Sequence, residues 1–205
     1  VDGDGRAILA RIFGADGQPE GEAIVVSTGP GSQWDARVAG LADGGFVVTW
    51  TTPGGDGSES SVNGRVFTSD GAPLATDFRI NTTIFSEQFE SSVEALPGGG
   101  FVVVWESFYQ GVVAQLFADG GTPVGEEFLL SAEGEEGLKD PYVTALGDGR
   151  IAVVSSDIVY FGVGDLTSDV YLRSAAVGLP NGDPSEESEF LAFGDGPQAV
   201  DLLAG

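Results

Sequence analysis

The chain has no cysteine, no methionine and no histidine in its 205 residues, and only 8 lysines and arginines stand against 32 aspartates and glutamates. Each absence closes off a class of chemistry. Lack of cysteine excludes a disulfide scaffold and thiolate metal sites, and says little about compartment. Lack of histidine removes the commonest general base and the commonest transition-metal ligand, which argues against an ordinary enzyme. No stretch approaches the roughly 18 uninterrupted apolar residues that cross a bilayer, so membrane insertion is not expected. No basic-then-apolar leader opens the chain, so if the protein is exported its signal is expected outside the chain or C-terminal. A formal net charge of −24 repels nucleic acid and anionic membranes, which makes both poor partners. It suits solubility in high salt, the binding of hard cations such as calcium, or protection from aggregation.

What is present is a repeat. Residues 99–107 read GGFVVVWES, residues 44–52 read GGFVVTWTT and residues 148–156 read DGRIAVVSS. Self-similarity at a period of about 50 residues is the mark of a repeat architecture, and other segments fall into register around it. A first strand is read at 7–13 (AILARIF), 62–67 (VNGRVF) and 112–117 (VVAQLF), and more loosely at 170–177. An Asp-Gly or Asn-Gly turn follows each time, as in ADGQP at 15–19 and SDGAP at 69–73. These dipeptides supply the positive φ that tight hairpins need. A second strand is read at 23–27, 78–82, 128–132 and 190–193. The third strand carries a Val-x-x-Leu pair four times: Val38 and Leu41, Val93 and Leu96, Val143 and Leu146, Val200 and Leu203. The GGFVVVW element is the fourth strand. Its apolar residues do not alternate, which suits a strand covered on both faces, whereas the first and third strands are expected to carry one wetter face.

Tandem four-stranded antiparallel units of this length predict an all-β fold, a β-propeller-like array of three complete blades plus an incomplete fourth. A β-sandwich is the alternative. The chain is read as one repeat domain, 1–205, with copies at 5–60, 61–110, 111–169 and 170–205. The last copy stops where its fourth strand is due. The expectation is a piece of a longer array, or a protein partner or further copy covering the strand edge near Val200 and Leu203, because bare edges are liabilities.

Few residues stand out as chemistry. Asp2 and Asp4, in VDGDG, resemble part of a calcium loop. Asp16, Asp43, Asp70, Asp119 and Asp148 sit in Asp-Gly turns and are turn formers first. Trp34 and Phe89 are equivalent, each just before a third strand; with Tyr109 and Tyr142 they are candidates for a ring of glycan-stacking platforms, packing between neighbouring blades being the alternative. Trp50 and Trp105 are expected between blades. Arg11 and Arg65 are equivalent, with Gln115 in the same place of the third copy; the guanidinium is expected to cap backbone carbonyls or to pair with a neighbouring blade's carboxylate. Acidic neighbours such as Glu126 and Glu127 do not make a catalytic pair, which needs two carboxyls facing one cleft.

The pattern V-x-A-L-x-D-G-G-F-V-V-x-W, followed by R-x-F-x-x-D-G-x-P, resembles a repeat of large acidic RTX-type secreted proteins of Gram-negative bacteria. It is carried by VEALPGGGFVVVWES (93–107) and GRVFTSDGAPLATDFRINT (64–82) and extends over about three quarters of the chain; the nonapeptide calcium repeats of that family are absent. The resemblance implies an extracellular or cell-surface location, type I export, and a role in adhesion or scaffolding. The expected function is thus a non-enzymatic structural, adhesion or assembly module. The alternative is a lectin-like glycan-binding propeller or a carboxylate-dependent polysaccharide-active enzyme.

Overall fold

The computed structural model describes residues 5–54, 57, 59–131, 138–161 and 165–176. Asp2, Asp4 and the edge near Val200 and Leu203 lie outside them. Thirteen strands and no helix make up the described chain: β1 Leu9–Phe13, β2 Pro19–Val25, β3 Trp34–Gly40, β4 Phe46–Pro53, β5 Ser60–Phe67, β6 Phe78–Arg79, β7 Gln88–Ala95, β8 Phe101–Ser107, β9 Gly111–Phe117, β10 Pro123–Leu129, β11 Leu138–Ala145, β12 Arg150–Phe161 and β13 Asp165–Ala176. Every pairing is antiparallel and joins strands consecutive in the chain within one sheet. β3–β6 form one four-stranded sheet and β7–β10 another; β11–β13 form a three-stranded sheet and β1–β2 a pair. The sheets touch through their first strands: β7 packs on β3 and β4, and β11 packs on β7 and β8. Sheets that converge on one side and splay on the other are propeller blades, not the two stacked layers of a sandwich.

The sheets are phased half a repeat later than the copies read from the sequence. Each blade takes the third and fourth strands of one copy and the first two of the next. The reason is local. Tight turns join the third strand to the fourth and the first to the second, while the long polar segments 26–33 and 80–87 carry the chain between blades. The Val-x-x-Leu leucine opens each inner turn: Leu41 N donates to Gly45 O at 2.8 Å and Gly44 N returns to Leu41 O at 3.0 Å, as Leu96 and Leu146 do in their copies. The turn residue is Gly44, Gly99 or Gly149, at φ 87°, 95° and 87°, a conformation in which a Cβ is strained.

This phasing explains the burial. The first strand of each copy becomes the third strand of its blade, so β5 and β9 are buried along nearly their whole length and carry no wetter face. The outer strands β2 and β10 are wet, β1 alternates between exposed and half-buried positions, and the third strands of the copies, β3 and β11, carry the expected wetter face. β8 is buried on both faces, as its run of apolar residues requires. Phe101, Val103 and Trp105 point into a core shared with Val47, Val62 and Val66 of the preceding blade. Val102 and Val104 point the other way, to Leu138, Val143 and Ile151. Trp50 fills the earlier junction with Val26, Val48 and Phe67. Both tryptophans are inter-blade core.

Repeated polar clips finish each blade. Arg11 donates to Gly21 O, Arg65 to Ala75 O and Gln115 to Gly125 O, at 3.2, 3.0 and 3.3 Å. Asp77 accepts from Thr28 N at 2.8 Å and the equivalent Glu127 from Thr82 N at 2.8 Å. Glu127 is therefore a fastener between blades.

Candidate functional site

Each first strand of a blade begins with a β-bulge. The register slips between Trp34 and Arg37 in β3, between Phe89 and Ser92 in β7, and between Lys139 and Tyr142 in β11. The slip admits one residue in the left-handed region, and in all three blades it is acidic: Asp35 at φ 53°, Glu90 at 52° and Asp140 at 48°. A left-handed L-residue costs on the order of 1–2 kcal/mol. Bulges of this kind re-aim a side chain next to functional sites. Three strained carboxyls on the converging strands of successive blades are the strongest local departure from an ideal sheet.

Glu90 sits at the centre. Burial comes first in pushing its carboxyl up, followed by hydrogen bonding and repulsion from Asp140 and then by Glu106; the result is about 7. Glu106, the penultimate residue of β8, has a side chain only 4% exposed. Burial raises its carboxyl, and Lys139 of the next blade opposes that rise. Lys139 Nζ donates to Glu106 Oε1 at 3.1 Å, whereas Oε2 is buried without a hydrogen bond of good geometry. Glu106 thus holds the Lys139 ammonium with Glu90 and Asp140 close by, and the least expensive way to relieve the repulsion among the three carboxyls is a proton on Glu90. A carboxyl that holds its proton near neutrality is a potential general acid.

Glu90 opens onto a pocket of about 220 Å³ between the first two complete blades, which it lines with Trp34, Asp35, Glu59, Glu87 and Phe89. Two expected platform residues, Trp34 and Phe89, are therefore brought together here, beside carboxyls that the sequence did not single out. Tyr109 lines an adjoining pocket of about 490 Å³ with Phe85 and Phe108, and Glu59 and Glu87 belong to both. Tyr142 is 56% exposed on β11 and lines neither. The aromatics accordingly form no ring around the blades. They gather on the second complete blade and its junction with the first. No group of three or more Asp or Glu side chains among the described residues is arranged to hold a metal ion, and the calcium expectation for Asp2 and Asp4 falls on residues outside the described chain.

The signal for the missed residues was present. Asp35 and Glu90 each follow the aromatic at an equivalent place, and Asp140 follows Lys139 at the same place of the third copy. What the repeat could not show is that Glu106 and Lys139, 33 residues apart, meet across a blade junction.

No known protein-family model matches the chain, and neither does any curated protein. Solved structures do. A GH43 endo-arabinanase from Bacillus licheniformis superposes with a TM-score of 0.50 at 13% identity, over 71% of this chain and 52% of that one. A Bacillus subtilis arabinanase gives a TM-score of 0.50 at 14% identity, over 71% and 52%. The chain thus spans about half the length of the structures it matches, and at this identity the likeness shows the fold. It overturns the expectation of a non-enzymatic adhesion or assembly module: missing histidine argued against an enzyme, yet propellers of this build are found as arabinanases.

Proposed function

We propose that the chain contributes the carboxyl site of a polysaccharide-active propeller that hydrolyses glycosidic bonds. Hydrolysis of this kind uses two carboxyls facing one cleft, one giving a proton to the leaving oxygen and the other acting on the opposite side of the sugar. Glu90 is the proton donor, held protonated by its own burial and by Asp140 and Glu106. Asp35 is the second carboxyl, on the neighbouring blade and lining the same pocket. Lys139 and Glu106 position the group from behind. The carrying observation is a carboxyl raised to about 7 in an open pocket shared with a second acid.

Arabinan is the natural first substrate to offer, since the structural neighbours are named for it. Release of reducing ends from arabinan is expected to fall as pH rises past about 7, the value at which Glu90 loses its proton. Glu90→Gln and Asp35→Asn are each expected to lower kcat at least a hundredfold, the typical contribution of a positioned acid or base being about 10² to 10⁴. Wild-type turnover that survives Glu90→Gln undiminished refutes the assignment.

A further inference from the structure

Phe85, Phe108 and Tyr109 are 71%, 46% and 60% exposed, yet they touch one another. Phe85 and Tyr109 lie with ring centroids 5.5 Å apart at 33°, and Phe108 meets Tyr109 edge-on at 5.0 Å and 87°. Three rings clustered in water need either a reason or a ligand.

Their mounting is built rather than incidental. Phe85 lies near the end of the segment leading into β7, and Phe108 and Tyr109 lie in the β8–β9 turn. Gln88, fully buried, ties the two together: its Nε2 donates to Phe85 O and to Ser107 Oγ, both at 3.1 Å, and its Oε1 accepts from Trp105 Nε1 at 2.8 Å. Ser107 Oγ then donates to Gln110 Oε1 at 3.1 Å, and Phe108 N to Glu87 O at 3.1 Å. In the preceding blade the equivalent Gln33 secures the segment 29–31, Gly-Pro-Gly, by the same kind of bond. The frame is therefore common to both blades, and the rings were added to one of them.

Glu59 and Glu87 border both the ring pocket and the carboxyl pocket, so a bound chain can run continuously from one to the other. We infer that Phe85, Phe108 and Tyr109 form a sugar-stacking subsite that holds a neutral polysaccharide alongside Glu90. The apolar C–H faces of sugar rings match exposed aromatic faces, and rigid aromatics lose little entropy on binding. The acidic rim and the net charge of −24 select against uronate polymers by repulsion. This inference rests on the hydrolase reading for its register, and its test separates the two.

The 205-residue chain is run in native affinity gels containing arabinan, xylan or polygalacturonate, and the same samples are assayed for reducing ends. Retention by a neutral polymer and not by polygalacturonate is expected. Phe85→Ala/Tyr109→Ala should bind the neutral polymer at least about tenfold more weakly, a factor equivalent to about 1.4 kcal/mol, with an unchanged urea midpoint, while Tyr109→Phe should bind normally. Glu90→Gln should be retained like wild type but release no ends; retention with undiminished turnover defeats the hydrolase reading and leaves the subsite standing. No retention by any neutral polymer, equal retention of the double variant, or preference for polygalacturonate overturns the subsite.

Discussion

Replacing Glu90 by glutamine isolates the electrostatic strain in the carboxyl cluster, because glutamine imitates the protonated acid at every pH. In the unfolded chain Glu90 titrates near 4.5, and in the folded chain near 7. Between those values the folded protein keeps a proton that the unfolded chain has released, so stability falls as pH rises through the window and levels off above it. Moving a carboxyl from 4.5 to about 7 corresponds to about 3 kcal/mol at roughly 1.4 kcal/mol for each pH unit. Glu90 is only half-buried, so solvent screening leaves about 1–2 kcal/mol. Urea unfolding of wild type and Glu90→Gln at pH 4.5 and at pH 8 measures this directly. The difference between the two proteins should change by about 1–2 kcal/mol in favour of the variant at the higher pH, and any pH-independent effect of the substitution cancels. Parallel stability curves for the two proteins would show that Glu90 is an ordinary solvated acid, and both its role as proton donor and the geometry behind it would fall.

Two further outcomes follow from the same contacts. Lys139→Met leaves Glu106 buried opposite Glu90 and Asp140 with no cation, and should destabilise the chain by about 2–4 kcal/mol. Adding Glu106→Gln should recover most of that loss in urea titration, and if it does not, the 3.1 Å pair is not what Lys139 contributes. Gly99→Ala, at φ 95°, should cost about 1–2 kcal/mol through backbone strain, read as a lowered thermal midpoint with unchanged circular dichroism at 20 °C.

Much of the fold is legible in the sequence because its determinants are local. Asp-Gly turns, the Val-x-x-Leu pair and the apolar GGFVVVW run each dictate structure within a few residues, and their repetition supplies the blade. The carbonyl caps of Arg11 and Arg65 are legible for the same reason, and the structure adds Gln115 to them, with donor and acceptor always ten residues apart. The blade's phase was not legible: a repeat has no intrinsic start, and only strand pairing shows that β3 joins β4, β5 and β6. Nor was the site. Composition set the terms, since a chain with 32 acids and neither histidine nor cysteine leaves carboxyls as its most numerous candidates for proton transfer. Which carboxyls count was decided by tertiary structure. The bulge turns Asp35, Glu90 and Asp140 into the left-handed region, blade packing brings Lys139 to Glu106, and partial burial raises Glu90 to about 7. A carboxyl's proton affinity depends on the charges and solvent within a few ångströms of it, and those neighbours come from strands that only the folded chain brings together.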